Sequence, residues 1–295
     1  MHFIRFALPL YAVMDYTLNC NGRLVDLRAP QVMGILNVTP DSFYADSRQQ
    51  TEREVVERVI EIMSQGGSII DVGACSTRPD SEPVSESEEM ERLRWALTIV
   101  RREVPEAILS VDTFRPSVAR MAVEEYGASI INDVGYTAAQ SPKTTLHSQI
   151  EMFRMVSRLH IPYIYMSQKS TMRDILLDSA EAVDLLRSLG QKDIVIDPGF
   201  GFGKTLEQNY EVMSQLERLE MLRLPVLVGV SRKSMIYKLL ETNPEQALNG
   251  TTTLNTIALL KGASILRVHD VREAVECVKI VDAMSCGKPQ PANKS

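Results

Sequence analysis

Short apolar runs rich in β-branched residues recur along the chain, spaced so that a helix fits between neighbours. They lie at 32–36, 68–72, 107–111, 129–131, 162–166, 194–196, 226–230 and 264–268. Between them, stretches with helical spacing of apolar positions predict helices at 52–64, 87–102, 116–126, 172–189, 205–220 and 271–284. Runs apolar on both faces suit strands covered on both sides, as in a parallel sheet. Eight β-then-α repeats with no break in composition predict an α/β fold, a (β/α)8 TIM barrel; a doubly wound open sheet is the alternative. Ahead of them, "YTLNCNGRLVDL" alternates around Asn21-Gly22, a tight-turn dipeptide, and predicts an N-terminal β-hairpin. The predicted organisation is an N-terminal segment with its hairpin (1–29), a barrel (30–285) and a polar, flexible tail (286–295).

A parallel barrel does its chemistry at the C-terminal ends of its strands, which singles out the residues closing each run. These are Asn37, Asp71, Asp112, Asn132-Asp133, Asp197, Ser231-Arg232-Lys233, and Arg267 with His269. Any one Asn, Asp or Ser could be a helix cap; polar groups at seven ends of eight require a shared mouth.

The stretch "IVIDPGFGFGKT" tests that reading, because its glycines and Lys-Thr imitate a phosphate-binding loop. Counting back from Gly203-Lys204-Thr205 puts Pro198 where the first glycine belongs, and proline has no N–H for a phosphate. A buried strand ending in Asp197, followed by permissive backbone, fits better.

Composition narrows the chemistry. The 295 residues carry a formal charge of -6, with no basic stripe to replace the counterions of a nucleic acid, so small molecules are the expected partners. Cys20, Cys75, Cys277 and Cys286 lack the spacing of a zinc site or a disulfide framework, and imply reduced thiols in a cytoplasm. No apolar stretch reaches the ~18 residues that span a bilayer, and Pro9 interrupts the only run resembling an export signal. His2, His147 and His160 have no partners at metal-ligand spacing, nothing marks Cys75 as a nucleophile, and "SESEEMERL" reads as the solvated face of a helix.

The segments "GILNVTPDSF", "IIDVGACSTRP", "SVDTFRP", "IINDV", "IDPGFGFGK", "GVSRKS" and "LRVHDV", in this order, resemble the dihydropteroate synthase family of pterin-binding barrels. The resemblance implies a transferase of folate biosynthesis that joins 6-hydroxymethyl-7,8-dihydropterin pyrophosphate to p-aminobenzoate and releases pyrophosphate. Catalysis would fall to Asp112, Lys233, Arg267 and His269. The pterin would be held by Asp112, Asn132, Asp197 and Lys233, whose acids suit its paired N–H donors. Asn37, Arg267 and His269 would hold the diphosphate, with Asn37 also a ligand of a magnesium ion, Mg2+. Thr77, Arg78, Pro79, Phe202 and Ser234 would line the p-aminobenzoate slot, the target of sulfonamides. The segments 39–50 and 74–85 would close over a pterin methylene cation, and the family implies a homodimer.

Several segments depart from the family's pattern: "YADSRQQ" after the first motif, "GACSTRPD" in the second, and "GYTAAQSPKTTLHSQ" and "YIYMSQKSTMRD" around units four and five. Such departures would permit a non-catalytic pterin-binding paralogue; the other alternative, a methyltetrahydrofolate-dependent methyltransferase of the same barrel, is opposed by the retained Ser231-Arg232-Lys233 and Ser76-Thr77-Arg78-Pro79.

Overall fold

The computed structural model describes residues 16–38, 48–75, 84–135 and 142–285. Its first two strands, β1 (Thr17–Cys20) and β2 (Arg23–Asp26), form the predicted antiparallel hairpin. The turn puts Asn21 and Gly22 at φ of 53° and 85°, the left-handed region that an Asn-Gly turn supplies.

Eight parallel strands follow: β3 (Gln31–Asn37), β4 (Ile69–Gly73), β5 (Ile108–Asp112), β6 (Ile130–Asp133), β7 (Tyr163–Met166), β8 (Ile194–Asp197), β9 (Leu227–Val228) and β10 (Ile265–Val268). They pair in the order β8-β7-β6-β5-β4-β3-β10-β9, and a bridge between Ile196 and Val226 joins the two edges into a barrel. Around them run α1 (Arg48–Ser64), α2 (Glu86–Glu103), α3 (Pro116–Tyr126), α4 (Pro142–Leu159), α5 (Met172–Ser188), α6 (Leu206–Ser214), the short α7 (Ser234–Tyr237), α8 (Leu248–Leu260) and α9 (Val271–Ser285). Local sequence sets their ends. Helix α3 starts on Pro116 and stops at Gly127, whose φ of 65° few other residues adopt, while Thr205 and Gln208 close a reciprocal capping box on α6.

Because side chains alternate across a strand, one set faces the helices and the other the barrel interior. The outward set, including Val72, Leu109, Ile131, Tyr163, Ile196 and Leu266, packs with the helices into the main core. The inward set begins with Met33, Ile69, Ile108, Ile130, Ile164, Val195, Leu227 and Ile265, one from each strand, packed against Leu18, Cys20, Val25 and Leu27 of the hairpin segment. The hairpin is therefore a plug that seals the N-terminal end of the barrel.

Several expectations need correction. Helix α1 starts at Arg48, so the last residues of the expected 39–50 loop are helical. The helix expected at 205–220 ends at Ser214, and a tighter 3-10 turn takes over from Leu216 to Leu222. The run "SESEEMERL" is not simply a solvated face, since Glu89 and Arg92 are buried. Helix α8 was missed because Gly250 and its threonines disfavour helix; the hydroxyls of Thr251, Thr252, Thr253 and Thr256 instead donate to carbonyls one turn back. The divergent units four and five keep parallel register from β5 through β8. Phe153 packs edge-on against Tyr163 and Tyr165 there, and the Tyr163 hydroxyl donates to Asp133 at 2.6 Å. The tail at 286–295 lies outside the described residues.

Candidate active site

One step up the inward face from the plug, two residues along five of the eight strands, the side chains turn polar, while Ile35, Met166 and Gly229 hold that level on the other three. Asp71, Ser110, Asn132, Asp197 and Arg267 stand above Ile69, Ile108, Ile130, Val195 and Ile265. Asp71 organises this layer. It is buried, and its carboxylate accepts from Ser110 Oγ at 2.6 Å, from Asn132 Nδ2 at 3.0 Å and from Arg267 Nε at 2.6 Å. Arg267 Nη2 donates in turn to Asp112 Oδ2 at 2.7 Å. The bond to Asp71 fixes the Asn132 amide, because an ionised carboxylate only accepts and must face the NH2. Asn132 Oδ1 is left buried without a hydrogen-bond partner.

Across the mouth, Asp197 Oδ1 accepts the Gly199 N–H at 2.7 Å. The loop beyond needs its glycines: Gly199, Gly201 and Gly203 have φ of 69°, 82° and 61°, and a Cβ on Gly199 would sit 2.3 Å from the Ser167 carbonyl oxygen. Lys204 donates inward to the Gly199 carbonyl at 2.8 Å, a strut within the loop and not a phosphate anchor. Lys233 donates to the Phe200 carbonyl, with its ammonium 4.7 Å from the centre of the Phe202 ring. Ser234 is the first residue of α7, immediately after Lys233.

Arg232 takes the opposite course from its neighbours. It forms a fork onto Asp270 at 2.9 and 2.7 Å and donates to the Pro244 and Glu245 carbonyls. Ser231 Oγ lies 3.1 Å from His269 Nδ1 and accepts the His269 backbone N–H at the same distance. Arg58 of α1 joins the ends of β3 and β10 by donating to the carbonyls of Ile35 and His269. Beside it, a cavity of about 370 Å³ is lined by Arg58, Gln65, Arg232, His269 and Asp270 among others. Asn37 is exposed at the end of β3; its Oδ1 and the Asp112 carboxylate both face Gly73, whose missing side chain leaves the gap between them.

Burial dominates the electrostatics. It raises the Asp112 carboxyl, against the pull of Arg267, and raises Asp197, against Lys233 and the Gly199 N–H. Burial works against the charge on Arg267, but Asp71 and Asp112 outweigh it and hold the guanidinium charged. Lys233 falls to about 8, mainly through burial and despite Asp197. His269 falls to about 4 through burial and then the nearby Arg267 charge, so the ring is neutral at pH 7.

Of the residues expected in the site, the structure joins Asp112, Asn132 and Arg267 in one network and sets Asp197, Lys233 and Phe202 around one loop. Thr77, Arg78 and Pro79 lie outside the described residues. Asp71 was visible as a strand-end acid, but its hub role was not, since it depends on partners 39, 61 and 196 positions away. Among the described residues no cluster of three or more His, Cys, Asp or Glu could hold a metal, and no helix is long and apolar enough to cross a membrane. The arrangement as a whole offers buried acceptors to a flat, donor-rich ligand edge, with cationic groups and a neutral imidazole nearer the rim.

The chain matches the model of the family described as pterin binding enzyme over residues 33–269. It is 38% identical over 261 residues to a dihydropteroate synthase of Clostridium beijerinckii, an alignment covering 85% of this chain and 93% of that protein. Among solved structures, dihydropteroate synthase of Xanthomonas albilineans with 4-aminobenzoic acid superposes with a TM-score of 0.79 at 34% identity, covering 92% of this chain and 98% of the other. The Yersinia pestis dihydropteroate synthase in complex with a sulfonamide drug also gives 0.79 at 34% identity, covering 92% of this chain and 100% of the other.

Proposed function

We propose, since this chain belongs to the pterin-binding enzyme family and within it to the dihydropteroate synthases, that it joins 6-hydroxymethyl-7,8-dihydropterin pyrophosphate to p-aminobenzoate. The observation that carries the proposal for the pterin is the buried Asn132 Oδ1, an acceptor with no partner in a pocket whose other acceptors are the Asp112 and Asp197 carboxylates. Leaving such an acceptor unpaired is costly, and a pterin ring edge carries the N–H donors that would satisfy it. Lys233 lies beside Asp197 and completes the pterin site.

In the reaction the bond between the pterin methylene carbon and the diphosphate oxygen breaks, and its electron pair leaves with the diphosphate. The aryl amine then bonds to that carbon and releases a proton to solvent, so the products are dihydropteroate, diphosphate and a proton. Asp112 and Asp197 stabilise positive charge on the pterin, while Arg267 and His269 face the departing diphosphate. His269 contributes as a neutral ring, since its low pKa leaves it uncharged, with Ser231 fixing its orientation. The aminobenzoate slot would lie by Phe202 and Ser234, and a sulfonamide would compete for it.

The donor set fits a magnesium ion that arrives with the diphosphate. Mg2+ needs few protein oxygens when phosphates supply the rest, and the exposed Asn37 Oδ1 is such an oxygen at the rim. Bound there, the ion would offset negative charge on the leaving group. Residence in a reducing cytoplasm is supported by the free thiols of Cys20, Cys75 and Cys277. A homodimer is supported by Leu239, Leu240 and Ile280, large apolar residues exposed on or beside the last helices.

Pyrophosphate release should require both substrates, and release unaffected by omitting p-aminobenzoate would overturn the reaction assigned. In the same preparation, Asp197→Ala should weaken calorimetric binding of a bare pterin about 10- to 100-fold, the equivalent of roughly 1–3 kcal/mol. Unchanged affinity would remove Asp197 from the pterin site.

A further inference from the structure

Arg232 differs from its neighbours in backbone as well as side chain. Its φ of 54° is left-handed, a conformation that a residue with a Cβ keeps only when its surroundings fix it. They fix it from two directions. The backbone N–H donates to Thr251 Oγ1 of α8 at 3.0 Å, while the guanidinium engages Nε and Nη2 on Asp270 and Nη1 on the Pro244 and Glu245 carbonyls. On either side of it, Ser231 turns to His269 and Lys233 to the Phe200 carbonyl.

The Asp270 end of this ion pair directly follows His269 in the chain. The fork therefore ties the residue after Ser231 to the residue after His269. That link matters because the ladder between β9 and β10 ends at the pair Val228–Leu266, short of both. Beyond it, side chains hold the two strand ends together: Ser231 Oγ accepts the His269 N–H and lies against its Nδ1, and Arg58 donates to the His269 carbonyl. A fork of two parallel bonds restrains direction as well as distance, which a single point contact does not.

We infer that Arg232 and Asp270 are positioning residues for His269, their ion pair registering the end of β9 against the end of β10 so that Ser231 stays beneath the imidazole ring. The inference rests on the function proposed above, in which His269 faces the diphosphate. The pterin acceptors are held separately: Asp112 by Arg267, Asn132 by Asp71, and Asp197 by the Gly199 N–H. Lys233 also keeps its own anchor on the Phe200 carbonyl. Loosening the fork should therefore affect the diphosphate and spare the pterin ring.

Two variants of the full chain test this. Arg232→Lys keeps the cation but loses the fork, and Asp270→Asn keeps the shape with one acceptor fewer. In steady-state assays, kcat/KM for the pterin diphosphate should fall at least tenfold in each, while calorimetric affinity for a bare pterin changes less than threefold. The second readout is the titration of His269 in ligand-free protein, followed by NMR of nitrogen-labelled histidine and assigned by its loss in His269→Gln. The charges around this ring are Arg267, Arg58 and Arg232, which lower its pKa, and Asp270, which raises it; burial lowers it most, and the result is about 4. A ring released from Ser231 gains water, so its midpoint should rise by at least one pH unit in both variants. A direct charge effect has the opposite sign in Asp270→Asn, because removing an anion lowers the midpoint. A midpoint that falls or stays put in Asp270→Asn would overturn the inference, as would bare-pterin affinity falling in step with kcat/KM. Failure of both variants to fold would make the pair a stability element and overturn it too. A wild-type protein that releases no pyrophosphate would refute the proposed reaction instead, and the titration, measured without ligand, would then decide this inference alone.

Discussion

The two ends of the barrel interior are built on the same strands and differ in almost everything else. At the lower end, Met33, Ile69, Ile108, Ile130, Ile164, Val195, Leu227 and Ile265 meet the hairpin in an apolar plug. Two residues further on, roughly 6.5 Å up the strands, five of the eight equivalent positions are polar: Asp71, Ser110, Asn132, Asp197 and Arg267. The plug contributes by burial, which needs only suitable volume and shape. The mouth contributes by charges held where water is scarce, each of which costs free energy unless its partner is in place. A dry, packed floor below that mouth keeps its charges and acceptors strong for a ligand. Stability and chemistry are thus separated by a single step of the pleat.

Removing Arg267 should break this separation most severely. It is the cation between Asp71 and Asp112, so Arg267→Ala leaves two buried carboxylates facing each other. The expected loss is about 10²-fold or more in kcat, together with roughly 3–5 kcal/mol of stability. Because Arg267 holds Asp112, affinity for a bare pterin should fall as well. Turnover, urea unfolding and pterin titration of one preparation check all three. Full stability with lost turnover would mean that Arg267 serves the leaving group alone.

The plug should fail in the opposite way. Ile130→Ala removes a fully buried side chain directly beneath Asn132 and should cost about 2–5 kcal/mol in urea unfolding. The folded fraction should keep kcat/KM within about twofold, since Asn132 is held by Asp71 of β4, two strands away. A large fall in activity per folded molecule would show that the floor shapes the mouth, and that the two layers are coupled.

This contrast also explains what was legible in the sequence. The eight strands and the hairpin could be read directly, because a buried parallel strand needs β-branched residues and an Asn-Gly turn needs its glycine; both demands are local. The polar ends of the strands were legible for the same reason, since Asp112, Asn132, Asp197 and Arg267 each sit where a run stops. Their wiring was not. Glu89 looked solvated within "SESEEMERL" because its partner Arg115 lies 26 residues on, and Asp71 looked like one strand-end acid among several because its partners arrive from β5, β6 and β10. Likewise, nothing local distinguishes Arg232, turned to Asp270, from Lys233, turned to the Phe202 ring.

The smallest expected effect follows from titration, which should sense the mouth and ignore the plug. His269 has its folded-state pKa lowered from 6.5 to about 4, by burial and by the charge on Arg267. Between those values the unfolded chain binds a proton that the native ring does not. The stability this residue contributes is therefore present above about pH 6.5 and is lost as the pH falls toward 4. His269→Gln, which titrates nowhere in that range, should lose less stability on acidification than the wild type, by about 1–3 kcal/mol across the window. The buried Asp133, raised to about 6, works in the other direction: its protonated form favours the native state, so its contribution is full below the unfolded value of 3.8 and declines as the pH rises through about 6. The total stability curve therefore mixes opposing slopes, and only the difference between wild type and variant isolates His269. Urea titrations at half-unit steps from pH 4 to 7 give that difference. If the two proteins run parallel, His269 is protonated as readily in the native state as in the unfolded one, and the neutral imidazole assigned to the diphosphate side of the mouth is wrong.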